Sequence, residues 1–267
     1  MRRSVQGLMA AGLAAGFVFT AGHFHWFSGW HLKPTYASAQ VSESLKRMCL
    51  KNYHLSVQVH RQGDTLQVFF WKIGLLKPKS FEMRAETAES LEKVLLCATR
   101  VALSTDAPLK FIEVKAADVL SGASITLWRY VPDIRDSMFT RFGDEEFMNR
   151  LVMDITTERE RDEMGAEHSW RPPITLATFL AKQVILRARR QCQVVFVAHE
   201  DLSQRATLAV VVDNWSTIAK RTPREKAALT DVIEKTAKTV LHGYRFSGFH
   251  GVVLKDGQGV ALRSWTL

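Results

Sequence analysis

The sequence predicts a mixed α+β protein in which an amino-terminal transmembrane helix precedes two similar two-layer α/β sandwiches. Three observations lead to this prediction. An uncharged apolar run occupies residues 5–22, the order helix, strand, strand, helix, strand, strand occurs twice, and the two copies have nearly equal lengths at 40–135 and 173–267. Two amphipathic helices in each half would cover the apolar face of a mainly antiparallel sheet.

The apolar run of residues 5–22 has the length and composition of a transmembrane helix. As a helix it extends about 27 Å, which is close to the roughly 30 Å of a hydrocarbon core. Arg2 and Arg3 precede the run, so the positive-inside rule places the amino terminus in the cytoplasm and the remaining chain outside. We expect four aromatic side chains after the run to lie in the membrane interface: Phe24, Trp26, Phe27 and Trp30.

A cleaved signal peptide is the alternative for residues 1–39. Ala37-Ser38-Ala39 is a small-x-small site before Gln40, and cleavage there would secrete the chain. About fifteen residues separate this site from the apolar run, which is farther than a cleavage site normally lies. We therefore favour a single-pass membrane protein whose following domains lie on the periplasmic side of a bacterial envelope.

The first repeat, 40–135, changes its hydrophobic period in an orderly way. A helical face at Val41, Leu45 and Met48 is followed by two alternating stretches around the turn 62–64, which indicates a β-hairpin. The second helix of the repeat is predicted from apolar residues at i, i+3, i+4 and i+7, which are Leu91, Val94, Leu95 and Ala98. Strands are predicted at 111–115 and 125–130.

The second repeat, 173–267, has the same order of elements. The predicted elements are a helix at 176–190, strands at 194–198 and 206–212, a helix at 224–241, and hairpin strands at 247–254 and 259–265. An offset of 138 residues places Leu91, Val94 and Leu95 on Leu229, Val232 and Ile233, and it places Phe111 on Phe249. This spacing indicates a duplicated domain, and one α+β domain with fortuitous register is the alternative.

Residues 136–172 between the repeats are predicted to form a charged linker with one short helix. They contain ten acidic and five basic side chains. The residues from Asp144 to Met153 suit a short amphipathic helix with a Glu146–Arg150 pair at i, i+4 spacing. We expect the residues after this helix to be solvated.

The sequence lacks the common motifs of catalysis and of cofactor binding. It contains no Gly-x-Ser-x-Gly elbow and no phosphate-binding loop. His54 and His60 fall on one predicted strand about 20 Å apart, too far to share a metal ion. We therefore predict no catalytic, metal-binding or cofactor-binding residues, and no cofactor. The carboxylates Asp144, Glu145, Glu146 and Asp154 are interpreted as a solvated face.

Three cysteines, Cys49, Cys97 and Cys192, leave at least one thiol over if a disulfide forms. Cys49 ends one predicted helix and Cys97 lies inside the next, so a bond between them is one interpretation for an oxidising compartment. Buried free thiols are the interpretation we favour, because free cysteine behaves as a small hydrophobic residue.

The formal net charge is +9, and it is spread over the chain without an aromatic-lined basic stripe. This distribution argues against nucleic acid as the partner. The second repeat carries a candidate basic surface in two clusters, which are Lys182, Arg187, Arg189 and Arg190, and Lys220, Arg221, Arg224 and Lys226. Such a surface suits lipid headgroups, an anionic envelope polymer or an acidic protein.

These observations together favour a membrane-anchored envelope protein whose exported duplicated domain binds a protein or an envelope surface and acts as a tether. The bilayer itself is contacted through residues 5–22. One alternative is an exported hydrolase with a site between the halves, built from His54, His60, His199 or Asp213. Another is a soluble ligand-binding protein released by cleavage after Ala39.

Overall fold

The computed structural model describes residues 35–78, 80–139, 141–156, 170–192, 207–212, 222–256 and 258–266. Several predicted features lie outside these ranges: the anchor at 5–22, Phe24, Trp26, Phe27, Trp30, the strand at 194–198, His199, Asp213, Lys220 and Arg221. The chain divides into two compact units, and the boundary falls between Ile174 and Thr175. We call the described residues up to Ile174 the first unit and those from Thr175 the second unit.

The first unit follows the predicted order and then adds further elements. Its helices are α1 (Val41–Tyr53), α2 (Ala85–Leu103), α3 (Val131–Met138) and α4 (Asp144–Asn149). Its strands are β1 (Gln58–Gln62), β2 (Thr65–Trp71), β3 (Phe111–Ala117), β4 (Ser124–Tyr130) and β5 (Val152–Thr156), in the sheet order β1-β2-β3-β4-β5.

The sheet of the first unit is mixed. β1 and β2 form the predicted antiparallel hairpin, with Gly63 at a φ of 60° in its two-residue loop. β3 then runs parallel to β2, from the pair Thr65 and Phe111 to the pair Trp71 and Ala117. The sheet is mainly antiparallel, as predicted, and β2 with β3 is its one parallel pair. This pair is parallel because α2 returns the chain to the starting end of β2.

One face of this sheet packs beneath α1 and α2 and forms the core of the first unit. Leu45 of α1 and Leu91 and Leu95 of α2 are buried in it, as the helical spacing predicted. The sheet contributes alternate residues of its strands, among them Leu66, Val68, Ile112, Val114, Ile125 and Leu127.

The segment predicted as a linker contributes to this unit. Helix α4 forms where a short helix was predicted, and Arg150 pairs with Glu146 at 2.8 Å as expected. Arg150 also bonds to the buried Asp133 at 2.7 Å, which connects α4 to α3. The helix prediction was wrong at its end, since α4 stops at Asn149, and Val152 and Met153 belong instead to β5, which pairs with β4. The pairing buries Val152, which the charge count of the segment does not predict.

The second unit repeats part of this arrangement. Its described elements are α5 (Leu176–Cys192), β6 (Thr207–Val212), α6 (Pro223–Gly243), β7 (Gly251–Asp256) and β8 (Ala261–Thr266). β6 and β7 are parallel and are connected through α6, like β2 and β3 of the first unit. β7 and β8 are antiparallel, like β3 and β4. The first pair of the parallel ladder is Thr65 with Phe111 in the first unit and Thr207 with Gly251 in the second. Phe111 therefore corresponds to Gly251 and not to Phe249. Phe249 lies just before β7 and is buried.

Within the described ranges, no helix combines the length and the apolar character that crossing a bilayer requires. The two sheets of these ranges, mostly antiparallel and accompanied by helices, establish a mixed α+β protein.

Candidate functional site

Two exposed apolar side chains lie on neighbouring loops at one end of the first sheet. Because β2 and β3 are parallel, the loops that follow them leave the sheet at the same end. Ile73, in the loop after β2, is 66% exposed, and Leu120, in the loop after β3, is 62% exposed. We call these two residues the apolar loop pair, and they form our first candidate site.

Asp118 holds the two loops together through both oxygens of its carboxylate. Its Oδ2 accepts the backbone N–H of Gly74 at 3.1 Å, and its Oδ1 accepts the backbone N–H of Leu120 at 2.9 Å. The Ser121 hydroxyl also donates to Oδ2, at 2.8 Å. Leu120 is therefore bonded to this buried carboxylate, and Ile73 is next to Gly74, which is bonded to it as well.

The hydrogen bonds of Asp118 also determine how its carboxyl titrates. Burial raises its pKa, but the hydrogen bonds from Ser121 and from the backbone of Leu120 and Gly74 outweigh burial. The pKa of Asp118 therefore lies below its ordinary value. The carboxylate stays ionised at neutral pH, so the brace between the loops remains intact there.

The loop after β2 has further internal contacts. Leu75 is buried in the core, and Leu76 forms a β-bridge with Met83. Gly74 has a φ of 71°, and a Cβ there would lie 3.1 Å from the guanidinium of Arg84. The Arg84 Nε donates to the carbonyl of Leu76 at 3.1 Å. Such contacts limit the conformations that the loop can adopt, so Ile73 projects from a well-supported backbone.

The second candidate site is a buried polar cluster on the face of the first sheet opposite the core. Gln67, Glu113 and Trp128 are register partners on β2, β3 and β4, and Lys115 shares this face with Glu113. Gln67 is 1% exposed, Lys115 3% and Glu113 8%. The Gln67 Nε2 donates to Glu113 Oε2 at 3.3 Å and to the carbonyl of Arg171 at 3.0 Å.

Burial raises the pKa of the Glu113 carboxyl above its ordinary value. Hydrogen bonds from Gln67 and Trp128 and the positive charges of Lys115 and Arg171 oppose this shift without cancelling it. A carboxyl group that holds its proton more readily than usual has the property required of a general acid. Within the cluster, however, Glu113 and Lys115 are both nearly inaccessible to a substrate.

The described ladder of the second unit has no equivalent of the Gln67–Glu113 pair. The residues at the positions of Gln67 and Glu113 are Ala209 and Val253, which are register partners on β6 and β7. Ser264 of β8 stands opposite Val253, at the position of Trp128. Lys115 does have a counterpart, since Lys255 occupies its register position on β7. The strand arrangement therefore does not require a polar pair such as Gln67 and Glu113.

The structure does not bring together the described histidines and carboxylates that the sequence analysis considered for metal binding or catalysis. His54 is exposed and ends α1 at a φ of 55°, so the expectation that it shares a strand with His60 was wrong; its left-handed backbone terminates the helix. His60 stacks on Trp170 with ring centroids 5.3 Å apart. Asp144 and Glu145 are exposed on α4, whereas Asp154 lies on β5, paired with Thr126.

The described part of the candidate basic surface is uneven. On α5, Lys182, Arg187 and Arg189 are half-buried and Arg190 is exposed. At the start of α6, Arg224 is exposed and Lys226 is half-buried. Among the described residues, no group of three or more His, Cys, Asp or Glu side chains is placed to hold a metal ion.

Sequence reasoning did not identify Asp118, Ile73, Leu120 or Glu113 as site residues. Glu113 and Lys115 alternate with apolar residues in β3, and that pattern also fits a strand with one solvated face. Comparison with protein-family models, with curated protein sequences and with solved structures gives no match to this chain.

Proposed function

We propose that this chain is a membrane-anchored envelope protein whose outward domains bind a partner protein through the apolar loop pair. Residues 5–22 would form the anchor, with the amino terminus in the cytoplasm and both units outside. The observation that carries the proposal is the exposure of Ile73 and Leu120 on two loops that one buried carboxylate joins. The two units would be descendants of one duplicated domain.

The Asp118 brace favours binding because it orders the loops before a partner arrives. A partner that contacts a preordered surface avoids part of the conformational entropy cost of association. Apolar residues exposed singly are ordinary on protein surfaces, whereas contiguous exposed apolar patches mark interaction sites. Ile73 and Leu120 are both exposed on loops at the same end of the sheet, where a partner could contact both.

The charge of the loop after β2 suggests the chemistry of the partner. Residues 72–84 contain four basic side chains and one acidic side chain. A partner surface with an apolar centre and an acidic rim would therefore complement it, and opposite charge would accelerate the encounter. We infer a protein partner of this kind rather than a nucleic acid.

The anchor would support binding by confining the domains near the bilayer. Tethering raises the effective concentration of the domains for any partner in the same membrane or close to it. Amino-terminal sequencing of protein extracted from carbonate-washed membranes tests the anchor separately. A chain that begins at Met1 supports it, whereas a chain that begins at Gln40 supports secretion after cleavage at Ala39.

The apolar loop pair is tested by site-specific photo-cross-linking in intact cells. A photoreactive residue at position 120 should capture one partner protein, and Ile73→Asp should abolish that same adduct because it places a charge in the contact. Phe139 is 64% exposed on a different element, so Phe139→Asp is the matched control and should leave the adduct unchanged. No protein adduct, an adduct with lipid only, or equal loss in both variants contradicts the proposal.

A hydrolase is the second candidate, and the observation that favours it is Glu113 with its raised pKa beside Lys115. It ranks second because both side chains are buried and Glu113 is already hydrogen-bonded to Gln67. Hydrolysis of chromogenic esters, peptides or glycosides by the full chain, lost in Glu113→Gln, would reverse this ranking. Unchanged background rates in both proteins would support the binding function.

A further inference from the structure

Helices α1 and α2 bring two cysteines face to face inside the core of the first unit. Cys49 lies one turn before Tyr53 on α1, and Cys97 lies one turn after Lys93 on α2. The Lys93 ammonium is 5.6 Å from the centre of the Tyr53 ring. At the other end of the helix pair, the hydroxyl of Ser38, before α1, donates to Asp106, after α2, at 2.7 Å. The two contacts show that α1 and α2 run in opposite directions, so Cys49 lies opposite Cys97.

The two thiols are in direct contact. Both are free thiols, both are buried, and they are hydrogen-bonded to each other. Packing alone does not require sulfur on both sides of a helix contact, since any small apolar residue would fill the space. Two thiols within hydrogen-bonding distance are instead the arrangement from which a disulfide can form with a small movement of the side chains.

We propose that Cys49 and Cys97 are an oxidation site and form an intramolecular disulfide that joins α1 to α2. The oxidant would be a disulfide-containing compound or protein. One sulfur attacks the oxidant to give a mixed disulfide, and the second sulfur then displaces the oxidant's remaining thiol. Two thiols thereby lose two electrons and two protons, and the oxidant is reduced to two thiols.

The surroundings indicate which sulfur attacks first. The hydrogen bond from Cys49 lowers the pKa of the Cys97 thiol; burial opposes this and the positive charge of Arg100 supports it. The hydrogen bond to Cys97 and burial raise the pKa of the Cys49 thiol. Arg100 lies one turn along α2 from Cys97, and its positive charge favours a thiolate at Cys97, so we assign Cys97 as the attacking sulfur.

Access for the oxidant would come from the end of α1. Cys49 lies in the last turns of this helix, which stops at the left-handed residue His54. Helix ends open more readily than helix centres, so opening of this turn would expose the thiol pair without unfolding the unit. The inference does not depend on the apolar loop pair, which lies on other elements.

The test uses the full-length Cys192→Ala protein in detergent, so that only the two thiols of interest remain. It is equilibrated in glutathione buffers of increasing oxidised fraction, quenched with acid, alkylated in denaturant and weighed intact. We expect the doubly alkylated species to be replaced by an unalkylated species. Its mass should be two hydrogens below that of the reduced, unalkylated protein, and no glutathione adduct should persist. The oxidised fraction should be independent of protein concentration.

The controls are Cys49→Ala and Cys97→Ala in the same background, with folding checked by circular dichroism. Each should retain one alkylatable thiol or one glutathione adduct at every ratio. The proposal is overturned if the parent protein keeps two alkylatable thiols in the most oxidising buffer, or ends as a glutathione adduct. Oxidation of the urea-unfolded parent protein under the same conditions shows that the assay detects the bond.

Discussion

The buried polar cluster allows a quantitative prediction, because the second unit shows which apolar residues can replace it. We expect Gln67→Ala to destabilise the first unit by about 2–4 kcal/mol. The amide loses a hydrogen bond to a charged group, which contributes about 1.5–3 kcal/mol, and one to a backbone carbonyl, which contributes about 0.5–1.5 kcal/mol. The buried Glu113 carboxylate is left with fewer donors.

The double variant Gln67→Ala, Glu113→Val should cost less than the sum of the single variants. It installs the residues found at Ala209 and Val253 and leaves no carboxylate buried without its donor. Removing both members of a buried polar pair is commonly less costly than removing one. We therefore expect a coupling of at least about 1 kcal/mol in the double-mutant cycle.

The pH dependence of the cost of Gln67→Ala tests the same interaction independently. Because burial raises the pKa of Glu113, its contribution to stability is fully present below the unfolded pKa of about 4.3 and is lost as the pH rises through the folded value. Gln67 donates one of the bonds that lower this pKa, so its removal makes the loss larger. The cost of Gln67→Ala should therefore be greater near about pH 7 than near about pH 4.

The measurement is urea unfolding followed by peptide-level hydrogen exchange. Tryptophan fluorescence would not separate the two units, because both contain tryptophan. Exchange in peptides from β2 and β3 reports on the first unit alone. A cycle that is additive within about 0.5 kcal/mol, or a cost of Gln67→Ala that is equal at both pH values, would show that Gln67 does not stabilise the Glu113 carboxylate.

Four further predictions follow from the contacts. Asp118→Ala should cost about 2–3 kcal/mol, since a buried carboxylate with several bonds is lost, and it should weaken the cross-link at position 120; Asp106→Ala is the exposed carboxylate control. Because the pKa of Asp118 is lowered, its contribution is present above the unfolded pKa and is lost as the pH falls through the folded value, which acid titration of the variant pair will measure. Thr222→Ala removes a capping box and should destabilise α6 by about 1 kcal/mol in hydrogen exchange, whereas Thr239→Ala near the end of α6 should not. Oxidation of Cys49 and Cys97 should raise the free energy of unfolding by about 4 kcal/mol, as expected for a closed loop of this length, and equal urea midpoints with and without reductant would contradict that value.

The periodicity of the sequence was sufficient for the elements with one buried face. Helix α2 forms where Leu91, Val94 and Leu95 recur at helical spacing, and the hairpin forms around Gly63. The Glu146–Arg150 pair was also predicted correctly, since it joins residues one turn apart on one helix. These features depend on residues close together in the chain, so local patterns carry the necessary information.

The candidate sites could not be predicted in this way. The polar residues of β3 alternate as they would in a strand with one face in water, and only the structure shows that Glu113 and Lys115 are buried. The Asp118 brace joins residues more than forty positions apart, and nothing near Gly74 in the sequence identifies its carboxylate partner. β5 was missed because its first residues, Val152 and Met153, were assigned to the end of the predicted helix that begins at Asp144.

The sequence by itself determined the order of α1, β1, β2, α2, β3 and β4 and the core-facing side of α1 and α2, because apolar periodicity is a local property. Only the tertiary structure decided that β3 lies parallel to β2, that the linker supplies β5, that Cys49 faces Cys97, and that Ile73 and Leu120 project from one braced end of the sheet. These outcomes depend on which distant segments pack together, and their energy comes from contacts that exist only after folding.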